Sequence, residues 1–319
     1  MHAHLVPPGL LDAVRGGAVP GVSVADDPAD AGRPVLTAGA DRLGPIGPEM
    51  TDLAVRLGWM DERSIAEQWV SPWLDLFTWH RFGPAEARPW AAAVNQALAD
   101  AARGSGGRLR PVPFVDVSAG AGPAADDVTA LAGELAPPAV LLSTHPAGVA
   151  SVADASLGPL WDRIAGLGLP VLLHPPGNGP SQAFTPPVLQ NVAGRITDTS
   201  AAVLQMMADG RFERLPGLRV IVVHGGGFLP YQAFRLDGLV RAGLLARTAM
   251  TAPPSAALRR LFYDTVALDP LSLEFLVRRV GASQVLLGSD VPFPIGDPDP
   301  VGTLRATPLD ETAQQKILS

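Results

Sequence analysis

Short runs of consecutive apolar residues alternate along most of this chain with longer stretches whose apolar positions recur every three or four residues. An unbroken run of four to six apolar residues fits a strand buried on both faces, and the longer spacing fits an amphipathic helix. On that basis strands are predicted over 65–71, 110–117, 139–144, 169–174, 218–224, 261–265 and 285–290. Helices are predicted over 51–61, 85–103, 124–135, 157–167, 200–212, 231–245 and 271–280. The helix ending near Arg103 stops at Gly104-Ser105-Gly106-Gly107, a run that carries no helix.

Strand and helix alternating in this way imply parallel strands covered on both sides. Adding the short segment around His2 gives eight strands, so the expected fold class is α/β, a (β/α)8 TIM barrel with its active site at the C-terminal strand ends. A doubly wound sheet is the alternative, but the glycine-rich turn expected after its first strand is absent. Residues 7–50 are rich in Pro, Gly, Ala and Asp, with strand-like pieces at 19–24 and 35–37. That is long for a plain βα loop and predicts a small insertion after the first strand, a lobe or a cover, within one barrel domain spanning 1–319.

Composition narrows the chemistry. The 319 residues are 47% hydrophobic and 17% charged, with a net charge of −7. That charge argues against nucleic acid and anionic membranes as partners, since either needs a basic patch. There is no cysteine, so thiolate nucleophiles and Cys-ligated metals are excluded. Lys316 is the single lysine, which removes Schiff-base chemistry from the middle of the chain and points to a mononuclear rather than carbamate-bridged metal site. No secretory leader and no membrane-length apolar run is visible, so a cytoplasmic protein is expected.

Polar residues interrupt the pattern at particular places. His174, His224 and Asp290 each end an apolar run, His145 follows one, and His2 and His4 stand two apart at the start. Alternate side chains of a strand share a face, so His2 and His4 can grip one ion. Five of the six histidines and one aspartate thus fall at predicted C-terminal strand ends. His2, His4, His174 and Asp290 make a nitrogen-rich donor set of the kind zinc favours, with manganese, iron or cobalt also suited. A divalent ion there lowers the pKa of its water to about 7, and His224 is left to take or give a proton. Trp73, Phe77 and Trp79 cluster beyond the second strand, with Trp79 a candidate for an apolar pocket wall and His145 a second candidate for substrate contact. Gly225-Gly226-Gly227 either lies against a ligand or reverses the chain, and Arg235 beyond it suits a substrate carboxylate.

These residues carry a resemblance. His2-Ala3-His4, His174-Pro175, Gln190-Asn191-Val192-Ala193-Gly194, His224-Gly225-Gly226-Gly227 through Pro230-Tyr231 to Arg235, and Tyr263-Asp264-Thr265 fit one pattern. So do Asp269-Pro270-Leu271-Ser272-Leu273 and Leu287-Gly288-Ser289-Asp290-Val291-Pro292-Phe293-Pro294. Together they resemble the aminocarboxymuconate semialdehyde decarboxylase branch of the amidohydrolase superfamily, along nearly the whole chain.

The resemblance implies a mononuclear zinc barrel in which His2, His4, His174 and Asp290 hold the metal and His224 is the acid-base residue. It implies that Arg235 binds a substrate carboxylate, across a dimer interface in the best-studied members. The His-x-His start favours the semialdehyde decarboxylase type, because several aromatic-acid decarboxylases of the group carry Glu at the first position. A second family arginine has no clean counterpart here, Arg42 being the nearest. Relative to the family both ends look short: only Met1 precedes His2, and Leu318-Ser319 stop before the family's closing helix. A loosely held His pair is the corresponding expectation.

The expected function is metal-dependent, non-oxidative decarboxylation of a small unsaturated or aromatic carboxylic acid, with His224 and Asp290 as the catalytic pair. The alternatives are hydrolysis of a lactone or amide on the same fold, and a non-catalytic barrel that binds a ligand or partner. Substrate selection is expected in the loops 73–81 and 177–187.

Overall fold

Each apolar run yields a parallel strand, shorter than predicted because only part of it makes ladder bonds. The computed structural model describes residues 2–30, 32–181, 184–186, 188–245 and 252–319. Met1 and part of the predicted selectivity loop 177–187 lie outside those residues.

In chain order the strands are β1 (His4–Leu5), β2 (Ser23–Asp26), β3 (Pro34–Ala38), β4 (Asp41–Leu43), β5 (Gln68–Pro72), β6 (Leu109–Pro111), β7 (Val140–Ser143), β8 (Val171–His174), β9 (Val220–Val222), β10 (Phe262–Asp264) and β11 (Val285–Leu286). One parallel sheet has the order β1-β5-β6 and another β11-β10-β9-β8-β7. Phe114 bridges to Leu141 in parallel, with Val115 N–H donating to Leu141 O at 3.0 Å. At the other seam Asp290 N–H donates to His2 O at 3.0 Å and His4 N–H to Val291 O at 2.8 Å. These bonds join the two sheets at both ends, giving the eight-stranded barrel that the alternation predicts.

The strands' period of two sorts their side chains into two cores. Val140, Leu142, Val171, Leu173, Val220 and Val222 face the surrounding helices in one buried cluster. Leu141, Leu172, Ile221, Val112 and Phe114 face the opposite way and fill the barrel with a second. No position of these runs reaches water, which is why they read as unbroken apolar stretches.

Residues 7–50 contain more order than their composition suggests. A helix spans Pro8–Arg15, where the sequence offers only a Pro-Gly start, and it buries Leu10, Leu11 and Val14. β2, β3 and β4 form an antiparallel sheet whose register pairs Leu36 with both Val24 and Leu43. Leu36, Leu43, Ile46 and Trp90 belong to the cluster that seats this insertion.

Two helices differ from expectation where the pocket is built. The helix predicted from residue 200 begins at Arg195, preceded by a π-helical turn over Gln190–Gly194. The helix predicted over 231–245 divides at Ala233 into Leu229–Gln232 and Phe234–Arg241.

The His pair is not loosely held. His2 and His4 are fully buried, and Ala3 O accepts from Ser71 N–H at 2.9 Å. The helix Leu53–Glu62, capped by Asp52 through Ala54 N–H at 2.7 Å, sends Arg56 inward. Arg56 Nη2 donates to His4 O at 2.6 Å and Nη1 to Gln68 Oε1 at 3.2 Å. A buried cation on the strand's carbonyl replaces ladder bonds that a longer strand would make. Burial pushes this guanidinium down to about 10, so it stays charged at neutral pH.

Candidate metal centre and its pocket

Three strand ends and the turn after β9 converge on one point. His4 lies on β1, His174 ends β8, His224 opens the turn beyond β9, and Asp290 follows β11. Three of the site's residues hold backbone conformations that side chains disfavour: φ is +48° at His2, +56° at His224 and +56° at Asp290. Non-glycine residues in this region cost of order 1 kcal/mol or more and collect at functional sites. Here the strain turns each chain end so that its side chain points into the barrel mouth. His2 therefore reaches the site from just before the strand, not from within it as the alternation argument assumed.

Ligand atoms of His2, His174, His224 and Asp290 lie within 4.8 Å of one another. His4 joins them, its Nε2 lying 3.2 Å from His2 Nε2 and 3.1 Å from Asp290 Oδ1. Asp290 Oδ1 is 3.4 Å from His2 Nε2. Donors each about 2.05 Å from a tetrahedral ion are roughly 3.3 Å apart, so these spacings suit one cation. The buried Nε2 of His174 and Oδ1 of Asp290 have no well-directed hydrogen-bond partner among the described residues. Buried polar atoms normally find one, and a shared metal ion would serve both.

What separates the histidines is their second ring nitrogen. His2 Nδ1 donates to Asp264 Oδ2 at 2.5 Å, His174 Nδ1 to Pro175 O at 2.8 Å, and His4 Nδ1 lies 3.2 Å from Ser71 Oγ. Such contacts fix the tautomer and leave Nε2 as the ligand atom. His224 differs: its Nδ1 has no partner among the described residues, and its Nε2 faces Asp290 Oδ2 at 3.6 Å.

Asp264 received no role from the sequence, although it ends β10 as His174 ends β8. It is fully buried and, besides His2, accepts from Gly225 N–H at 2.7 Å and His224 N–H at 3.1 Å. It thus fixes His2 and the His224 turn together. The glycines of that turn are required by space: a Cβ on Gly226 would sit 2.6 Å from the Tyr263 ring, and one on Gly227 2.9 Å from Ile196 O. Gly225 and Gly227 line the pocket, so the turn both reverses the chain and forms a wall.

Charge follows this geometry. Burial, reinforced by the neighbouring imidazoles, drives His174 well below its usual value, and burial also lowers His4. Burial opposes protonation of His2 as well, but Asp290 and the Asp264 hydrogen bond outweigh it and raise His2. Burial would raise Asp290, yet His2 and the contacts from His224 and His4 hold it well below the carboxylate range. Asp264 is held down in the same way by its bond to His2. Neutral His4 and His174 beside two carboxylates are the protonation states a divalent cation needs.

A cavity of about 800 Å³ opens over the cluster. Trp73, Phe293 and Ile295 line it on one side and Val188, Val192 and Ile196 on another, with Asp75, Asn191 and Arg195 as polar members. Three expected contacts lie elsewhere in this chain. Trp79 packs among His80, Phe82 and the insertion, and Trp73 takes the wall position instead. His145, half-buried, faces Thr144 Oγ1 at 2.9 Å and does not line the cavity. Arg235 is exposed and borders a separate groove with Phe228, Gln232 and Leu239.

Comparison with known proteins agrees with this geometry. A family profile described as amidohydrolase matches residues 1–319. The 2-amino-3-carboxymuconate-6-semialdehyde decarboxylase of Dictyostelium discoideum is 29% identical over 167 residues, 52% of this chain and 46% of that protein. The chain spans about half the length of the curated relatives it matches. Among solved structures, 5-carboxyvanillate decarboxylase from Sphingomonas paucimobilis superposes with a TM-score of 0.81 at 18% identity, covering 100% of this chain and 95% of that one. Dihydroxybenzoic acid decarboxylase from Polaromonas sp. JS666, solved with bound manganese and an inhibitor, gives a TM-score of 0.70 at 21% identity, covering 84% of each chain. No helix among the described residues is long and apolar enough to cross a membrane. With a family profile matched from end to end and a barrel whose strand ends gather four histidines and an aspartate, the chain belongs to the amidohydrolase family.

Proposed function

We propose that this protein is a metal-dependent, non-oxidative decarboxylase of a small unsaturated or aromatic carboxylic acid. The observation that carries the reading is the asymmetry among the histidines. His2, His4 and His174 have their Nδ1 atoms engaged and join Asp290 as metal ligands, whereas His224 keeps its own unengaged and is free to exchange a proton. The donor set favours zinc, and the manganese bound to a protein of the same fold supports manganese as the other candidate. When bound, the ion supplies Lewis acidity and anchors an anionic end of the substrate.

The chain's own groups then move the proton. His224 delivers it to the ring or chain carbon that bears the carboxylate. The bond from that carbon to the carboxylate breaks, its electron pair returns to the conjugated system, and carbon dioxide leaves. His224 is reprotonated from solvent, with Asp290 Oδ2 at 3.6 Å holding the imidazole in register. Trp73, Phe293 and Val192 keep the departing carbon dioxide and the planar product in an apolar enclosure.

Arg235 completes the reading as a carboxylate ligand offered to a neighbouring copy in a homodimer. Its exposure, and its place on a groove apart from its own chain's cavity, support that assignment. The test is carbon dioxide release from a panel of aromatic and muconate-type acids by the metal-loaded protein. Carbon dioxide from at least one member is expected. Ring opening of a lactone without carbon dioxide would replace the decarboxylase by a hydrolase, and less than about a tenth of an equivalent of metal in the purified chain would favour a binding protein.

A further inference from the structure

The cavity has a second polar pole that the metal chemistry does not use. The lining that the segment 188–196 supplies is mostly apolar, with Val188, Val192 and Ile196 among it. Arg195 interrupts them, and it is the one arginine among the described residues lining the cavity. Its position follows from the π-helical turn Gln190–Gly194 that leads into the helix Arg195–Ala208. A π turn inserts an extra residue and redirects the face that follows, and such turns occur mostly at functional sites. Here it sets Asn191 and Arg195 four residues apart on the cavity side, where Arg195 Nε donates to Asn191 Oδ1 at 3.0 Å. That bond fixes the plane of the guanidinium.

The counter-ion offsets its charge but leaves its N–H groups unsaturated. Asp75 Oδ2 lies 3.6 Å from Arg195 Nη2, longer than the roughly 2.8 Å of a charge-assisted hydrogen bond. Arg195 is only 19% exposed at its side chain and Asp75 21%, so the pair stands in the cavity wall and not in bulk water. An oriented guanidinium with a distant partner is a ready acceptor for a carboxylate or phenolate, which it can grip with two N–H groups.

We propose that Arg195, oriented by Asn191, is a specificity-determining residue that reads a second anionic group on the substrate. This rests on the reading above, in which the cluster of His2, His4, His174 and Asp290 takes the first. The substrate class is then a planar dianion, a conjugated acid carrying two carboxylates or a carboxylate and a second acidic oxygen. Asp75 competes with that group for the guanidinium. The Arg195 subsite comes from the protein's own chain, in contrast to Arg235, which serves a neighbouring copy.

Calorimetric binding of isophthalate and benzoate to the manganese-loaded full chain tests this. Wild type is expected to bind isophthalate about tenfold or more tighter than benzoate, as two charge-assisted hydrogen bonds allow. Arg195→Met should abolish that preference while changing benzoate affinity less than about twofold, and Arg195→Lys should keep part of it. Asp75→Asn, which removes the competitor, should tighten isophthalate. The proposal is overturned by an equal preference in wild type and Arg195→Met, by no isophthalate binding to wild type at about 10 mM, or by an Asp75→Asn variant that loses isophthalate as Arg195→Met does. That last outcome would make the ion pair a scaffold. Binding is read without turnover, so a failure to release carbon dioxide would leave this result standing.

Discussion

The two sides of the cavity are built on opposite terms. On the strand side His2, His4, His174 and Asp290 are buried, and most of their other polar atoms are tied to Asp264, Ser71, Pro175 or the backbone. On the helical side Val188 and Val192 are more than 60% exposed and Arg195 is held by one neighbour and a distant ion pair. The proposed chemistry would then sit on a barrel rim fixed by many bonds, and the proposed recognition on a turn fixed by few. A substitution on the strand side should therefore cost metal and turnover together, while one on the helical side should alter only which acid is bound.

Removing a donor should have the largest effect. His174→Ala leaves the remaining donors with an open position, and we expect metal loss and at least about a thousandfold lower turnover, equivalent to about 4 kcal/mol of transition-state stabilisation. Metal analysis of the purified variant checks the first part and carbon dioxide release the second. Asp264→Asn keeps the shape but removes the charge opposite His2 Nδ1. It should lower metal affinity by about 10- to 100-fold, read by competition with a chelator. A loss confined to the substrate preference, with metal affinity intact, would erase the contrast between the two sides.

Much of the strand side was legible in the sequence. His174, His224 and Asp290 are polar residues at the ends of apolar runs, and that interruption signals a barrel rim. The same rule would have found Asp264, but its predicted run, 261–265, continues through Thr265, and its partner His2 stands 262 positions away. The firmness of the His pair was not read either: Arg56, whose contact anchors β1, stands three residues after Leu53 and four before Met60 on the apolar stripe, but a guanidinium at such a position ordinarily reaches out to water. Trp79 and Trp73 could not be told apart: both stand in one aromatic cluster, and only the insertion's packing draws Trp79 away from the cavity. The π turn was invisible because its residues also fit an ordinary helix or loop.

Arg56→Met tests that anchor directly. It keeps most of the volume but strands His4 O and Gln68 Oε1, and should cost about 2 kcal/mol of stability by denaturant unfolding, with a smaller loss of metal affinity. No change in stability would mean that the ladder bonds of β1 suffice.

The smallest expected effect is a pH dependence of the metal-free chain. His4 and His174 have folded values below their ordinary 6.5, so below that pH the unfolded chain binds protons that the folded chain refuses, and stability falls as pH drops. His2 is raised and acts oppositely: its contribution is fully present below 6.5 and is lost as pH rises through its folded value. Two lowered groups against one raised group predict a lower melting temperature at about pH 5.5 than at about pH 7, and a shallower slope in His174→Asn. Asp264 and Asp290, both held down, keep their contribution across this range and lose it only in stronger acid.

The proposed division of labour, with His224 as the proton carrier and His2, His4 and His174 as metal ligands, is tested most directly by His224→Asn with metal content and carbon dioxide release measured on the same sample. The account predicts metal retained near one equivalent and turnover reduced by about 10²- to 10⁴-fold. Metal retained with turnover near that of wild type would contradict it.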